Sequence, residues 1–94
     1  MSSVISNLIV VILHTLCASL RISVIEQLRD KELCVYDLGN ALGIIQSKLS
    51  FHLKTIIKEA GLARSDHEEH WSYYSLNLLQ FAVLEHYLVW TLPL

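Results

Sequence analysis

Three sets of residues in this chain have types and spacings suited to chemistry. The thiols are Cys17 and Cys34, seventeen positions apart with no CxxC between them, which gives neither a zinc spacing nor a disulfide framework. Cys34 stands among apolar neighbours in "ELCVYDL" and admits three roles: a small buried hydrophobe, a thiolate that senses oxidants or sulfur species, or one ligand of a metal ion. Cys17 reads as a core residue. The second set is the acidic and histidine run Asp66, His67, Glu68, Glu69 and His70. His67 and His70 are the candidate zinc or nickel ligands there, although histidines in a hairpin tip are commonly just solvated. The third set is basic: Lys48, Lys54 and Lys58 surround Phe51 within eleven residues, a pattern suited to binding phosphate. For catalysis there is little. The chain has no glycine-rich phosphate loop, no nucleophile elbow and no carboxylate pair with a histidine at interpretable spacing, so an enzyme is not expected.

The elements that must position these groups follow from periodicity. Helices are expected over residues 3–15, 19–29, 35–42 and 46–59, with the third stopping at Gly43 and the fourth before Gly61. Asp30, Lys31 and Glu32 form a charged turn. From residue 62 to 76 the pattern changes to two short aromatic, alternating stretches split by the polar run 66–70, which predicts a β-hairpin. A last helix spans about 78–90, and its only polar positions are Gln80, Glu85 and His86. Two helices joined by the short turn Gly43-Ile44-Ile45 and followed by a hairpin describe a winged helix-turn-helix. The fold class is mainly α with a small β-hairpin, one domain over residues 1–94.

Projecting residues 46–60 at 100° per residue divides the fourth helix. Leu49, Leu53, Ile56, Ile57 and Ala60 fall on one side. Ser47, Phe51, Lys54, Thr55 and Lys58 fall on the other, with Lys48 and Ser50 at its edges. Three of the seven lysines and arginines thus share one helix face. That is also how an ordinary solvated face looks, except for Phe51. A phenylalanine at the centre of an exposed face suits contact with a thymine methyl group.

Composition bears on partners. Of 94 residues 53% are apolar and 17% charged, too apolar for a lone chain this small to bury alone. The first and last helices are apolar on nearly every side, which predicts a homodimer seam built from both. A membrane role is not expected. Residues 4–20 carry Asn7 and His14 and are short against the ~20 residues a span needs, while residues 78–94 hold Glu85 and His86 at mid-depth. No basic N-terminal cluster suggests a secretory signal, so a cytoplasmic protein is the expectation. Net charge is −2, so affinity for nucleic acid must come from a local patch.

The stretch "ELCVYDLGNALGIIQSKLSFHLKTIIKEAGLARS", followed by "WSYYSLN", resembles the ArsR/SmtB repressors, and the likeness runs over residues 14–77. The resemblance implies a dimeric winged-helix transcriptional repressor on palindromic double-stranded DNA, released by a metal or another effector. It carries the base-edge or groove positions onto Gln46, Ser47, Ser50 and Phe51, where many members have histidine at Phe51. Lys48 and Lys54 become phosphate contacts, which position without reading sequence. Thr55, Lys58 and Arg64 complete the expected DNA set. Two departures stand out. The family's arsenic, lead and cadmium sensors have a second cysteine where this chain has Tyr36, and a lone thiolate holds a soft ion poorly. At the hairpin tip the family has basic residues and a glycine, whereas here Asp66, Glu68 and Glu69 should repel a phosphate backbone. The family's other metal site, along the last helix, finds only the adjacent Glu85 and His86, which point about 100° apart. No cofactor is expected, and the effector is open. The rival reading is a winged-helix dimer that binds a protein partner in place of DNA.

Overall fold

The computed structural model describes the backbone of residues 3–68 and 71–91 and the side chains of residues 6–67 and 72–90. Its order is α1 (Ser3–Thr15), α2 (Ser19–Gln27), β1 (Leu33–Cys34), α3 (Val35–Leu42), α4 (Gln46–Lys54), a π-helical turn (Thr55–Glu59), β2 (Ala63–Glu68), β3 (Trp71–Leu76) and α5 (Leu78–Thr91). The helix-turn-helix and the hairpin stand where the sequence puts them.

Each helix contributes one apolar stripe to a single core. Ile9 and Ile12 come from α1, Val24 from α2, Leu38 from α3, Leu49 and Leu53 from α4, and Leu84 from α5, closed by Leu62 beside the sheet. Burial of each such side chain contributes roughly 1.5–3 kcal/mol relative to exposure. The three strands lie in the order β1-β3-β2, all antiparallel. Strand β1 is absent from the sequence expectation. Two residues carry no period, and only the pairing of Leu33 with Tyr74 and Cys34 with Tyr73 makes them a strand.

The hairpin is longer than its composition predicts. Asp66, His67 and Glu68 are not a polar turn: they pair with Tyr73, Ser72 and Trp71. Cross-strand pairing with an aromatic strand overrides the poor strand propensity of acidic residues. Residues 69 and 70, and with them the candidate ligand His70, lie outside the described residues, as do the side chains of residues 68 and 71.

Two glycines set the ends of the helix-turn-helix. Gly43 takes φ 68°, ψ 32° after α3, a left-handed conformation that costs glycine little, and the Ile44 amide then donates to the Gly39 carbonyl at 3.2 Å. Gly61, at φ 66°, ends the fourth helix. Before it the ladder loosens: the Ala60 amide reaches back five residues to the Thr55 carbonyl at 3.1 Å, the mark of a π turn. One continuous helix over 46–59 is therefore an α-helix that becomes a π turn at Thr55. Asn77 Nδ2 and Gln80 Nε2 then donate to the Gly61 and Ala60 carbonyls, each at 2.9 Å. The start of α5 thereby fixes where the fourth helix ends, and α2, expected to reach residue 29, stops at Gln27.

No single described helix is long and apolar enough to cross a membrane; α1 and α2 approach that length only as a pair bent by 90°.

Candidate nucleic-acid interface

The outer face of α4 presents the expected groups. Gln46, Ser47, Lys48, Ser50, Phe51 and Lys54 are exposed, as are Lys58 in the π turn and Arg64 on β2. Phe51 is 64% exposed on a helix whose Leu49 and Leu53 are sealed in the core. Its ring meets the His52 ring edge-on, with centroids 5.5 Å apart, yet most of it stays in water, which is the physical reason to look for a surface it meets. Thr55 is a correction. It is 8% exposed, because the π turn that begins with it packs against α1 and β2, closing the flank that a helical projection leaves open.

Behind this face a polar bracket holds α4. Arg21 on α2 donates through Nε to His52 Nδ1 at 3.3 Å and through Nη1 to the Thr15 carbonyl, the last of α1, at 3.5 Å. One guanidinium thus ties the ends of three helices. Burial lowers the His52 pKa below 6.5, and the positive charges of Arg21 and Lys48 lower it further. A neutral ring offers Nδ1 a lone pair for Arg21, whereas a protonated ring offers only donors. Sequence reasoning missed Arg21 as a site residue. Its distance of 31 positions from His52 leaves no local signal.

Between α4 and the hairpin runs a cleft of about 220 Å³ with an apolar floor of Leu53 and Ile57. Its walls are Ser50, Lys54 and Lys58 on the helix side and Ser65, His67 and Tyr74 on the sheet side. His67 Nδ1 lies 2.9 Å from Ser72 Oγ on the neighbouring strand.

The thiols divide in an unexpected way. Cys34 is buried at the N-cap position of α3 without a side-chain cap bond to the backbone, and its Sγ–H donates to Asp37 Oδ2 at 3.3 Å. Cys17, expected in the core, is exposed. It follows α1 in the turn where the chain bends into α2, and there the core takes Thr15 instead. Tyr36, at the family's second-cysteine position, is exposed. Among the described residues no three His, Cys, Asp or Glu side chains converge as a metal site would require. Glu85 and His86 are both exposed on α5.

The profile of the family described as "Bacterial regulatory protein, arsR family" matches residues 18–65, just over half of the chain. The chain belongs to the arsR family. Its relatives among these regulators include the arsenical resistance operon repressor of Bacillus subtilis, 48% identical over 44 residues, a match that covers 47% of this chain and 41% of that protein. The chain therefore spans about two-fifths of the length of such a curated relative. Among solved structures, HlyU from Vibrio cholerae superposes with a TM-score of 0.72 at 30% identity, over 88% of this chain and 92% of HlyU. A homodimeric winged helix-turn-helix DNA-binding domain from Mycobacterium bovis superposes at 0.77 with 18% identity, over 93% and 82% of the two chains, a likeness of fold. The winged helix-turn-helix of this ArsR-family chain is thus the fold that these regulators share.

Proposed function

We propose that this chain is a homodimeric transcriptional repressor that binds palindromic double-stranded DNA in the cytoplasm, with residues 1–94 acting as one domain. The observation that carries the reading is the division of α4. Its apolar residues are spent on the core, and its exposed face gathers lysines, small polar residues and one phenyl ring. Gln46, Ser47, Ser50 and Phe51 serve as groove contacts, while Lys48, Lys54, Lys58 and Arg64 serve as phosphate contacts.

The dimer rests on what the monomer leaves uncovered. Of twelve large apolar side chains exposed among the described residues, Val10 and Leu13 lie on α1 and Leu78, Leu79, Val83, Leu88, Val89 and Trp90 on α5. Eight on two helices is a patch, not scatter. Between these helices a groove of about 770 Å³ is lined by Leu8, Leu79, Ala82, Val83, Tyr87 and Trp90, with Ser6 and His86 at its edges. A second copy presenting the same patch would fill it by two-fold symmetry, and the Mycobacterium bovis domain of the same fold is homodimeric. A two-fold dimer places two copies of α4 on successive major grooves, about 34 Å apart.

Mobility-shift titrations of the full chain on its own upstream DNA and on random DNA, at two salt concentrations, test the reading. The expected result is tighter binding to the upstream DNA and a steep loss of affinity on both with added salt. Absence of a shift on any duplex would favour a protein partner for the same fold.

A further inference from the structure

The cleft between α4 and the hairpin resolves the conflict posed by an acidic wing. Side chains alternate along a strand, so Ser65 and His67 share one face of β2 and Asp66, between them, takes the other. Tyr74 stands opposite Ser65 in the register and joins the same face. The cleft walls follow this parity: Ser65, His67 and Tyr74 line it, and among the described residues no carboxylate does. Opposite them Lys54 and Lys58 are one helical turn apart, a like-charged spacing that is unfavourable unless an anion lies near. The His67 ring is pinned through Nδ1 by Ser72, which leaves Nε2 free. Two ammonium groups, the hydroxyls of Ser65 and Tyr74 and one imidazole edge all supply donors. Every polar group on these walls can donate a hydrogen bond, although the hydroxyls and a neutral imidazole also accept. The two ammonium groups supply the positive charge that suits a tetrahedral oxyanion.

We propose that this cleft seats one phosphodiester of the DNA backbone, held between Lys54 and Lys58 on one side and Ser65 and His67 on the other. The proposal rests on the DNA-binding reading and adds the wing to it. The wing contributes through its inward face, and the carboxylate of Asp66 is turned to the opposite side of the hairpin.

Ser65 and His67 are exposed, so Ser65→Ala and His67→Ala can be made without opening the core, and thermal unfolding checks that they fold as the wild type does. Binding to upstream and random duplexes should weaken by about tenfold or more in each variant, the loss of one hydrogen bond to a charged group, with the ratio between the two DNAs unchanged. Lys58→Ala should lower the slope of log affinity against log salt by about 0.9, as for one phosphate contact removed. A second arm titrates inorganic phosphate into DNA-free protein at fixed ionic strength while the amide resonances of Ser65 and His67 are followed. Saturation of those shifts at micromolar phosphate, with DNA affinity intact in His67→Ala, would make the cleft a site for a free anion and overturn the proposal. Salt-dependent DNA binding by the wild type that Ser65→Ala and His67→Ala retain in full would overturn the cleft alone, whatever Lys58→Ala does. A wild type that binds no duplex would remove the DNA reading and the cleft with it.

Discussion

Helices α4 and α5 both leave a broad surface uncovered, and they fill it differently. On α4 the exposed side is polar and basic with a single phenyl ring at its centre. On α5 it is mostly apolar, broken by Glu85 and His86, with Leu79 77% and Trp90 76% exposed. The first surface keeps its hydration until a charged, grooved partner displaces it. The second loses free energy to water at every turn and needs a partner of its own kind. On the proposed reading, one chain separates the task of reading DNA from that of pairing, and the type of exposed residue marks the helix assigned to each.

That contrast breaks most visibly on α5, where buried and exposed positions alternate. Leu84 belongs to the subunit's own core, so Leu84→Ala should cost about 3 kcal/mol of stability. Leu79→Glu, on the exposed side, should leave the subunit folded and separate the dimer. Light scattering and thermal unfolding together check the pair. A Leu79→Glu protein that remains a dimer at micromolar concentration would place the seam elsewhere.

A smaller effect sharpens the α4 side. The His52 pKa is lowered in the fold, so the unfolded chain binds the proton more readily than the folded one. Stability from this group is complete above the ordinary value of 6.5 and is lost as pH falls below it toward the folded value. Wild-type stability should therefore fall between pH 7 and pH 5 more steeply than that of His52→Gln, measured by urea unfolding across that range. Equal slopes would mean that the Arg21 bracket does not hold the neutral ring.

The smallest effect is expected at Cys34. Serine is favoured at a helix N-cap while a buried hydroxyl is costly, so Cys34→Ser should change stability by no more than about 1 kcal/mol. With Tyr36 in place of a second thiol, DNA release by arsenite, cadmium or a persulfide donor is not expected to depend on it. Wild-type release that vanishes in Cys34→Ser would make this thiol the switch.

Much of this architecture is readable in the chain because local signals agree with it. Gly43 and Gly61 mark real helix ends, and the alternation of aromatic residues in 71–76 marks a real strand. What escapes reading is set by tertiary contact. Strand β1 exists only through Tyr73 and Tyr74, Thr55 is buried only because α1 and β2 close over the π turn, and Arg21 meets His52 across 31 positions. Cys17 shows the reverse error: an apolar neighbourhood in sequence predicts a core residue, but the turn after α1 carries it outward. The inward face of the wing is the most instructive case. Composition shows an acidic run, and only strand parity separates Ser65 and His67 from Asp66.

The central claim is that the exposed face of α4 binds DNA, with lysines setting affinity and small polar residues setting preference. It is tested most directly by fluorescence anisotropy of Lys54→Ala and Gln46→Ala on upstream and random duplexes over a range of salt. The account predicts that Lys54→Ala weakens both duplexes alike and lowers the salt slope by about 0.9, while Gln46→Ala narrows the gap between them by about 1–3 kcal/mol. A Lys54→Ala protein that changes preference yet keeps its affinity for random DNA would contradict it.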